Sequence, residues 1–298
     1  MANQFNLSSA SFVTGAPESV DAGWVVMAVD ELAASEIEHS AILRFRGGIF
    51  EAVSLKMFRT RTALGLPGRS EIIFVGDNGQ CVAIDAAGIE RDEFVTSSQR
   101  NPRNTGHIRA ATRIGDEVVV VGMQRQVYLR DGSGAWSDFM AGLPAADSEV
   151  TGFECVLAVS RDEIYAAGWR GEIWMFDGRS WRPIDSPTNR VVTGMCVDPS
   201  GSVAACGQGG LLLRGRRNSW EVVHEGECPV DLWSIDGSTG SVFTAGLRFI
   251  FDVRDSGAEM LDLGAESYGE LVSDAGALWS FGQKDFLAFD GSNWRRVA

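Results

Sequence analysis

Ile164-Tyr165-Ala166-Ala167-Gly168, Trp169-Arg170-Gly171, Glu172-Ile173-Trp174-Met175-Phe176 and Asp177-Gly178-Arg179-Ser180-Trp181 follow one another without a break. An apolar run ends in glycine, a tight turn follows, and a second apolar run leads to Asp-Gly and a tryptophan. The phrase returns near the end of the chain as Leu278-Trp279-Ser280-Phe281-Gly282, Phe286 to Phe289, and Asp290-Gly291-Ser292-Asn293-Trp294. Repetition at a fixed period signals one supersecondary unit stacked on copies of itself.

The strand-ending glycines set the period. Gly76, Gly122, Gly168, Gly207, Gly246 and Gly282 are separated by 46, 46, 39, 39 and 36 residues. Such spacing suits four-stranded propeller blades of roughly 40–50 residues. A first unit without the glycine precedes them, with runs at 23–29, 41–45 and 49–53. Seven units use the whole chain, so the expected fold is an all-β, seven-bladed propeller of four-stranded antiparallel blades. One domain is expected over 1–298. The strands are lettered a to d from the axis outward. In the fifth unit they fall at 191–197, 203–206, 211–214 and 220–223, apolar runs bounded by turn residues. Residues 5–13 read as strand a of the first unit, and 30–40 have room for one short helix. The last unit carries its own four strands, so blade-against-blade closure is expected, with a swapped outer strand as the alternative.

Asp-Gly-x-x-Trp lies between strands c and d. Aspartate bonds to backbone two residues on and glycine accepts positive φ, so the phrase reads as a turn staple rather than a calcium or sugar site. Its tryptophan opens strand d, where it covers the gap between blades. Asp131-Gly132 with Trp136 is a looser copy, and Asn218 with Trp220 a degraded one. The phrase resembles the Asp-box of bacterial neuraminidase-type repeats. Together with the strand, glycine and turn pattern it is also similar to photosystem-assembly-factor-type propellers. That resemblance covers three units well. It implies a propeller and leaves glycan hydrolase, lectin and protein-binding roles open, since fold does not fix function.

Composition narrows the roles. The formal net charge is −14, which opposes nonspecific nucleic-acid or membrane binding and favours a basic partner. Only Lys56 and Lys284 are lysines; the other 24 basic residues are arginines, a bias that a GC-rich bacterial genome explains. The five cysteines lack metal or redox spacing and read as buried thiols of a cytoplasmic protein. A disulfide between Cys196 and Cys206 requires them to face each other on strands a and b. No secretory start is visible, and the run Trp24–Val29 is too short to span a bilayer.

Catalytic motifs are absent from the sequence. There is no Gly-x-Ser-x-Gly elbow and no phosphate loop. His39, His107 and His224 stand in separate units without ligand spacing, and are expected as loop or surface residues. No catalytic residue, metal or cofactor is expected.

In a propeller the b–c turns and d–a connections share one face. That face is expected to carry Trp169 and Arg170, Met123 and Arg125, and Leu247 and Arg248, a set suited to docking a protein because exposed Trp and Arg anchor interfaces. A toxin neutraliser and an assembly factor both fit, acting as a monomer. The alternative is a small-anion or acidic-sugar site built from Arg59, Arg61, Arg125 and Arg170, since guanidinium forks suit carboxylates. A sialidase-type hydrolase would also need a tyrosine nucleophile. Tyr128 and Tyr165 read as strand residues, and Tyr268 lies near the start of an inner strand. The long loops at 30–40, 96–107 and 141–152 frame the same face.

Overall fold

The computed structural model describes residues 5–96, 105–146 and 150–298. Among these residues the strands form seven sheets, each of four antiparallel strands in simple chain order. The first blade runs Ala10–Ser19, Ala22–Val29, Ser40–Arg46 and Ile49–Lys56. The fourth runs Phe153–Ser160, Glu163–Gly168, Ile173–Phe176 and Trp181–Ile184. Residues from strand a of all seven blades line one central channel of about 340 Å³. The expected seven-bladed propeller is therefore the observed fold.

Packing explains why so many strands are apolar throughout. The described core divides into seven apolar clusters, each shared by two neighbouring blades. Val118 and Val120 pack towards the second blade, while Val119 and Val121 pack towards the fourth. Alternate side chains point to opposite faces of a strand, so a strand sandwiched between blades must be apolar at every position.

The recurring glycines have a steric cause. A Cβ at Gly122, Gly168, Gly207 or Gly282 would overlap the carbonyl oxygen of His107, Gly152, Val191 or Ser267, in the d–a connection entering the same blade. At three of these places the next residue donates its backbone N–H to that carbonyl. Met123 reaches His107, Trp169 reaches Gly152 and Gln208 reaches Val191, each at 3.0 Å. The missing side chain lets the connection seal onto the top of strand b.

The Asp-Gly phrases are turn staples. Asp177 Oδ1 accepts from the backbone N–H groups of Arg179 and Ser180, each at 3.0 Å. Asp290 Oδ1 accepts from Ser292 and Asn293, each at 2.8 Å. The tryptophans then reach back to the preceding blade. Trp181 donates to the Phe139 carbonyl, Trp220 packs edge-on against Tyr165, and Trp294 packs edge-on against Phe243.

Several details differ from the sequence reading. Strand a of the first blade starts at Ala10 rather than Phe5, because Leu7–Ser9 form a short 3-10 turn whose N-cap is Asn6. Asp30–Ala34 is the short helix. Cys196 and Cys206 are not opposite each other. The a–b turn pairs Val197 with Val203, so Cys196 faces Ala204, and Cys206 faces Gly194 beside a bulge after Val192. All five cysteines are free and buried. His39 is buried too, not on the surface. Its Nε2 accepts from the Val29 N–H and its Nδ1 donates to the Ile37 carbonyl, both at 2.7 Å, which ties the 30–39 loop to the blade.

Closure is blade against blade. Phe12, Phe45 and Phe50 of the first blade interlock with Trp279, Phe281 and Phe286 of the seventh. The Phe45 and Phe286 rings meet across the seam at 5.3 Å, and those of Phe12 and Phe281 stack at 5.7 Å. Aromatic pairs of this kind add about 0.5–1.5 kcal/mol each beyond area burial. The Phe12 N–H also donates to the Gln283 carbonyl at 3.0 Å.

Candidate functional site: the connection face and the channel mouth

Each strand a starts on the face that carries the b–c turns and d–a connections, so its first residues ring the channel mouth. Three of them form a chain of contacts across neighbouring blades. Arg61 Nε donates to the Arg109 carbonyl at 2.8 Å, and the Arg109 guanidinium lies 3.5 Å from Glu154. Glu154 in turn accepts from the Trp169 indole N–H at 2.6 Å. Glu270 stands on the same ring. Burial pushes its carboxyl above the usual range, and the charge of Arg61 and a hydrogen bond with Thr14 only partly oppose that.

The channel is crossed towards its other end. Arg113 of the third blade pairs with Asp274 of the seventh through two bonds of 2.6 and 2.7 Å, and also donates to the Gly65 carbonyl of the second. Arg113 and Asp274 line the channel on one side and a cavity of about 730 Å³ on the opposite face on the other. A bidentate pair is a strong, directional contact, so the adjacent second and third blades are clamped to the seventh at the axis.

The structure brings all the expected docking residues to the connection face but uses them differently. Trp169 is half-buried because its indole turns back to Glu154 of its own blade. Arg125 pairs with Glu172 at 2.8 Å and lies over the Trp174 ring at 5.7 Å, which joins the b–c turns of two blades. Met123 is half-buried in an isolated bridge to Gly152. Arg170 is exposed at the tip of its turn with a left-handed φ of 59°. Leu247 and Arg248 are both exposed. Arg59 lies 3.9 Å from Asp77, whose own carboxyl is pushed up by burial and by the charge of Glu38. Arg59, Arg61 and Arg125 thus go to three separate neighbours, Asp77 of the second blade, the Arg109 carbonyl of the third and Glu172 of the fourth. Arg100, Arg103 and Glu149 lie outside the described residues. Tyr128, Tyr165 and Tyr268 are buried in the blades, away from the channel. The Tyr165 hydroxyl donates to Glu163, and burial raises its pKa to about 12.

Sequence reading missed two residues of this face. Trp233 is the one exposed tryptophan of the nine, and Phe249 is exposed beside Leu247. Trp233 stands outside every Asp-Gly-x-x-Trp phrase and every long apolar run, which was the available signal.

Seven four-stranded sheets in a closed ring, a clamped axis and a face built from turns and connections define a β-propeller that presents loops on a rigid ring. The chain belongs to the family of the immune protein Tsi7 of Pseudomonas aeruginosa. The two are 30% identical over 304 residues, which cover 96% of this chain and 97% of Tsi7. No protein-family model matches the sequence. Among solved structures, the WD40 propeller domain of Doa1 superposes with a TM-score of 0.68 at 11% identity, covering 97% of this chain and 93% of that one. YCF48 from Cyanidioschyzon merolae gives 0.65 at 15% identity, covering 97% and 98%. YCF48 bound to D1 peptide gives 0.59 at 16% identity, covering 80% and 81%. These similarities are of fold.

Proposed function

We propose that this chain is a non-catalytic immunity-type protein that docks a toxic protein on its b–c/d–a face and neutralises it. Membership of the Tsi7 family supports the immunity role. The observation that carries the docking face is the placement of exposed apolar residues. Of the large apolar side chains exposed among the described residues, half belong to this face: Ile37, Met57, Val150, Trp233, Leu247 and Phe249. Loops on a rigid scaffold are where binding concentrates, and apolar anchors supply most of an interface's energy. Arg170, Leu247 and Arg248 are the outward members of the docking set. Trp169, Arg125 and Met123 shape the turns beneath them. The net charge of −14 supports a basic partner. Five unpaired, buried cysteines support action in the cytoplasm, and the chain is read as a monomer there.

The test has two parts. A protein that copurifies with the chain from its native cells is expressed alone in a host, where it should arrest growth. Coexpression of the chain should restore growth, with the two proteins eluting as one complex. A partner that is harmless alone, or growth arrest that the chain does not relieve, would overturn the proposal.

A further inference from the structure

Trp233, Leu247 and Phe249 form the most exposed apolar corner of the connection face. Trp233 precedes strand a of the sixth blade, and its N–H donates to the Ala245 carbonyl at 2.7 Å. Leu247 and Phe249 stand on the next turn of that blade, which is closed by the Gly246 N–H donating to the Phe249 carbonyl at 2.9 Å. The Tyr268 N–H, from the seventh blade's connection, donates to the Leu247 carbonyl at 2.9 Å. Backbone bonds from two blades therefore fix the corner. The side chains themselves stand out, with 42% of Trp233, 65% of Leu247 and 38% of Phe249 accessible. Trp233 also borders the channel mouth.

The surroundings are strongly acidic. The connection before the corner, 223–233, carries Glu225, Glu227 and Asp231, and the connection after it, 262–269, carries Asp262 and Glu266. All five are exposed, and neither connection contains a lysine or arginine. Three basic residues approach: Arg248, within the turn, Arg190, which donates to the Gly209 carbonyl next to Asp231, and Arg296, which donates to the Gly264 carbonyl and pairs with Asp285. An apolar centre with a charged rim of one sign is the anatomy of a specific interface. The carboxylates repel one another and are stabilised by an opposing positive surface.

We infer that this corner, at the sixth blade, is the anchor point for the partner, and that it receives an apolar side chain ringed by Lys and Arg on a folded basic protein. The inference rests on the immunity reading above and adds the place and chemistry of contact. Trp233 and Leu247 act as the energetic centre, because a rigid exposed indole loses little conformational freedom on binding. The carboxylates act mainly on the association rate, through steering that salt screens.

The experiment uses the copurifying toxin as the probe, with binding rates measured at low and moderate salt. Trp233→Ala with Leu247→Ala should weaken binding at least about thirtyfold, mostly through faster dissociation. Replacing Glu225, Glu227, Asp231, Asp262 and Glu266 by their amides should slow association and flatten its salt dependence. All seven positions are exposed, and unchanged melting temperatures verify the fold. If the apolar variant binds like the wild type while Arg170→Ala weakens binding, the corner is wrong and the docking reading stands. A wild-type chain that binds no toxin at all removes the reading and the inference together.

Discussion

Replacing Gly207 by alanine tests the structural role of the recurring glycine. Gly207 ends strand b of the fifth blade with φ −171° and ψ −166°, an extended conformation open to any residue. The obstacle is contact alone. A Cβ there would sit closer than 3.0 Å to the Val191 carbonyl oxygen and 3.2 Å from its carbon, both of them backbone. The d–a connection would have to retreat, stretching the Gln208 to Val191 bond of 3.0 Å. Overpacking of this kind costs about 1–3 kcal/mol, and the weakened bond about 1 kcal/mol more. A stiffer unfolded chain offsets about 0.4–1 kcal/mol. The net expectation is a loss of about 1–3 kcal/mol, or roughly 2–10 °C in melting temperature. Gly132→Ala is the control. It lies in an exposed turn without positive φ, and nothing stands within 4 Å of its Cβ position. Only the unfolded-state term remains, so its melting temperature should stay level or rise slightly. Thermal melts of the two variants followed by circular dichroism decide the matter. A Gly207→Ala protein that melts at or above Gly132→Ala would refute the steric account of the repeat.

Two further perturbations test the charged contacts. Arg130 is fully buried between the second and third blades, bonding Glu71 at 2.8 Å and Glu93 at 2.7 and 2.8 Å. Arg130→Ala leaves Glu71 and Glu93 to the half-exposed Arg91, with Arg69 near Glu71 and the Trp136 indole on Glu93. It should therefore cost about 2–3 kcal/mol near neutral pH, less than a fully unpaired buried charge, measured by chemical denaturation. Burial works against the charge on Glu93, but the hydrogen bonds and charge of Arg130 outweigh it and hold the carboxyl below its ordinary value of 4.5. That stabilisation is complete above the ordinary value and is lost as pH falls through the lowered one, so the gap between wild type and variant should narrow in acid. A gap that widened on acidification would contradict the pairing. Glu270 has the opposite sign. Its raised carboxyl pKa means that the charged form weakens the fold as pH rises through and above the ordinary value of 4.5. Glu270→Gln should therefore melt higher than wild type at neutral pH, with the advantage fading towards pH 4. A difference independent of pH would show that desolvation of the carboxylate is not its source.

The ring was legible in the sequence because each blade repeats the same physical demands. Gly168 and Gly207 mark the place where a connection crosses strand b, and Trp181 and Trp294 fill the seam behind their own blades. Both needs recur at a fixed period, so the residues do too. Register within a blade was less legible. The a–b hairpin of the fifth blade pairs Val197 with Val203, which sets Cys196 against Ala204, and the bulge after Val192 moves Cys206 from Thr193 to Gly194; nothing in Val192-Thr193-Gly194 announces that bulge. At the candidate site the turns were placed correctly, but side-chain direction depended on partners distant in sequence. Glu154 draws Trp169 inward and Glu172 holds Arg125 across a blade boundary. Trp233 and Phe249 were missed because they lie where the repeat is silent, one of them in a connection that no other unit copies.

The most direct measurement is amide hydrogen exchange of the chain with and without its copurifying toxin. The account predicts added protection in the b–c turns and d–a connections, greatest across 227–235, 245–250 and 264–270, with the a–b and c–d turns unchanged. Protection centred on the opposite face, around 19–22, 46–49 and 86–89, would contradict it.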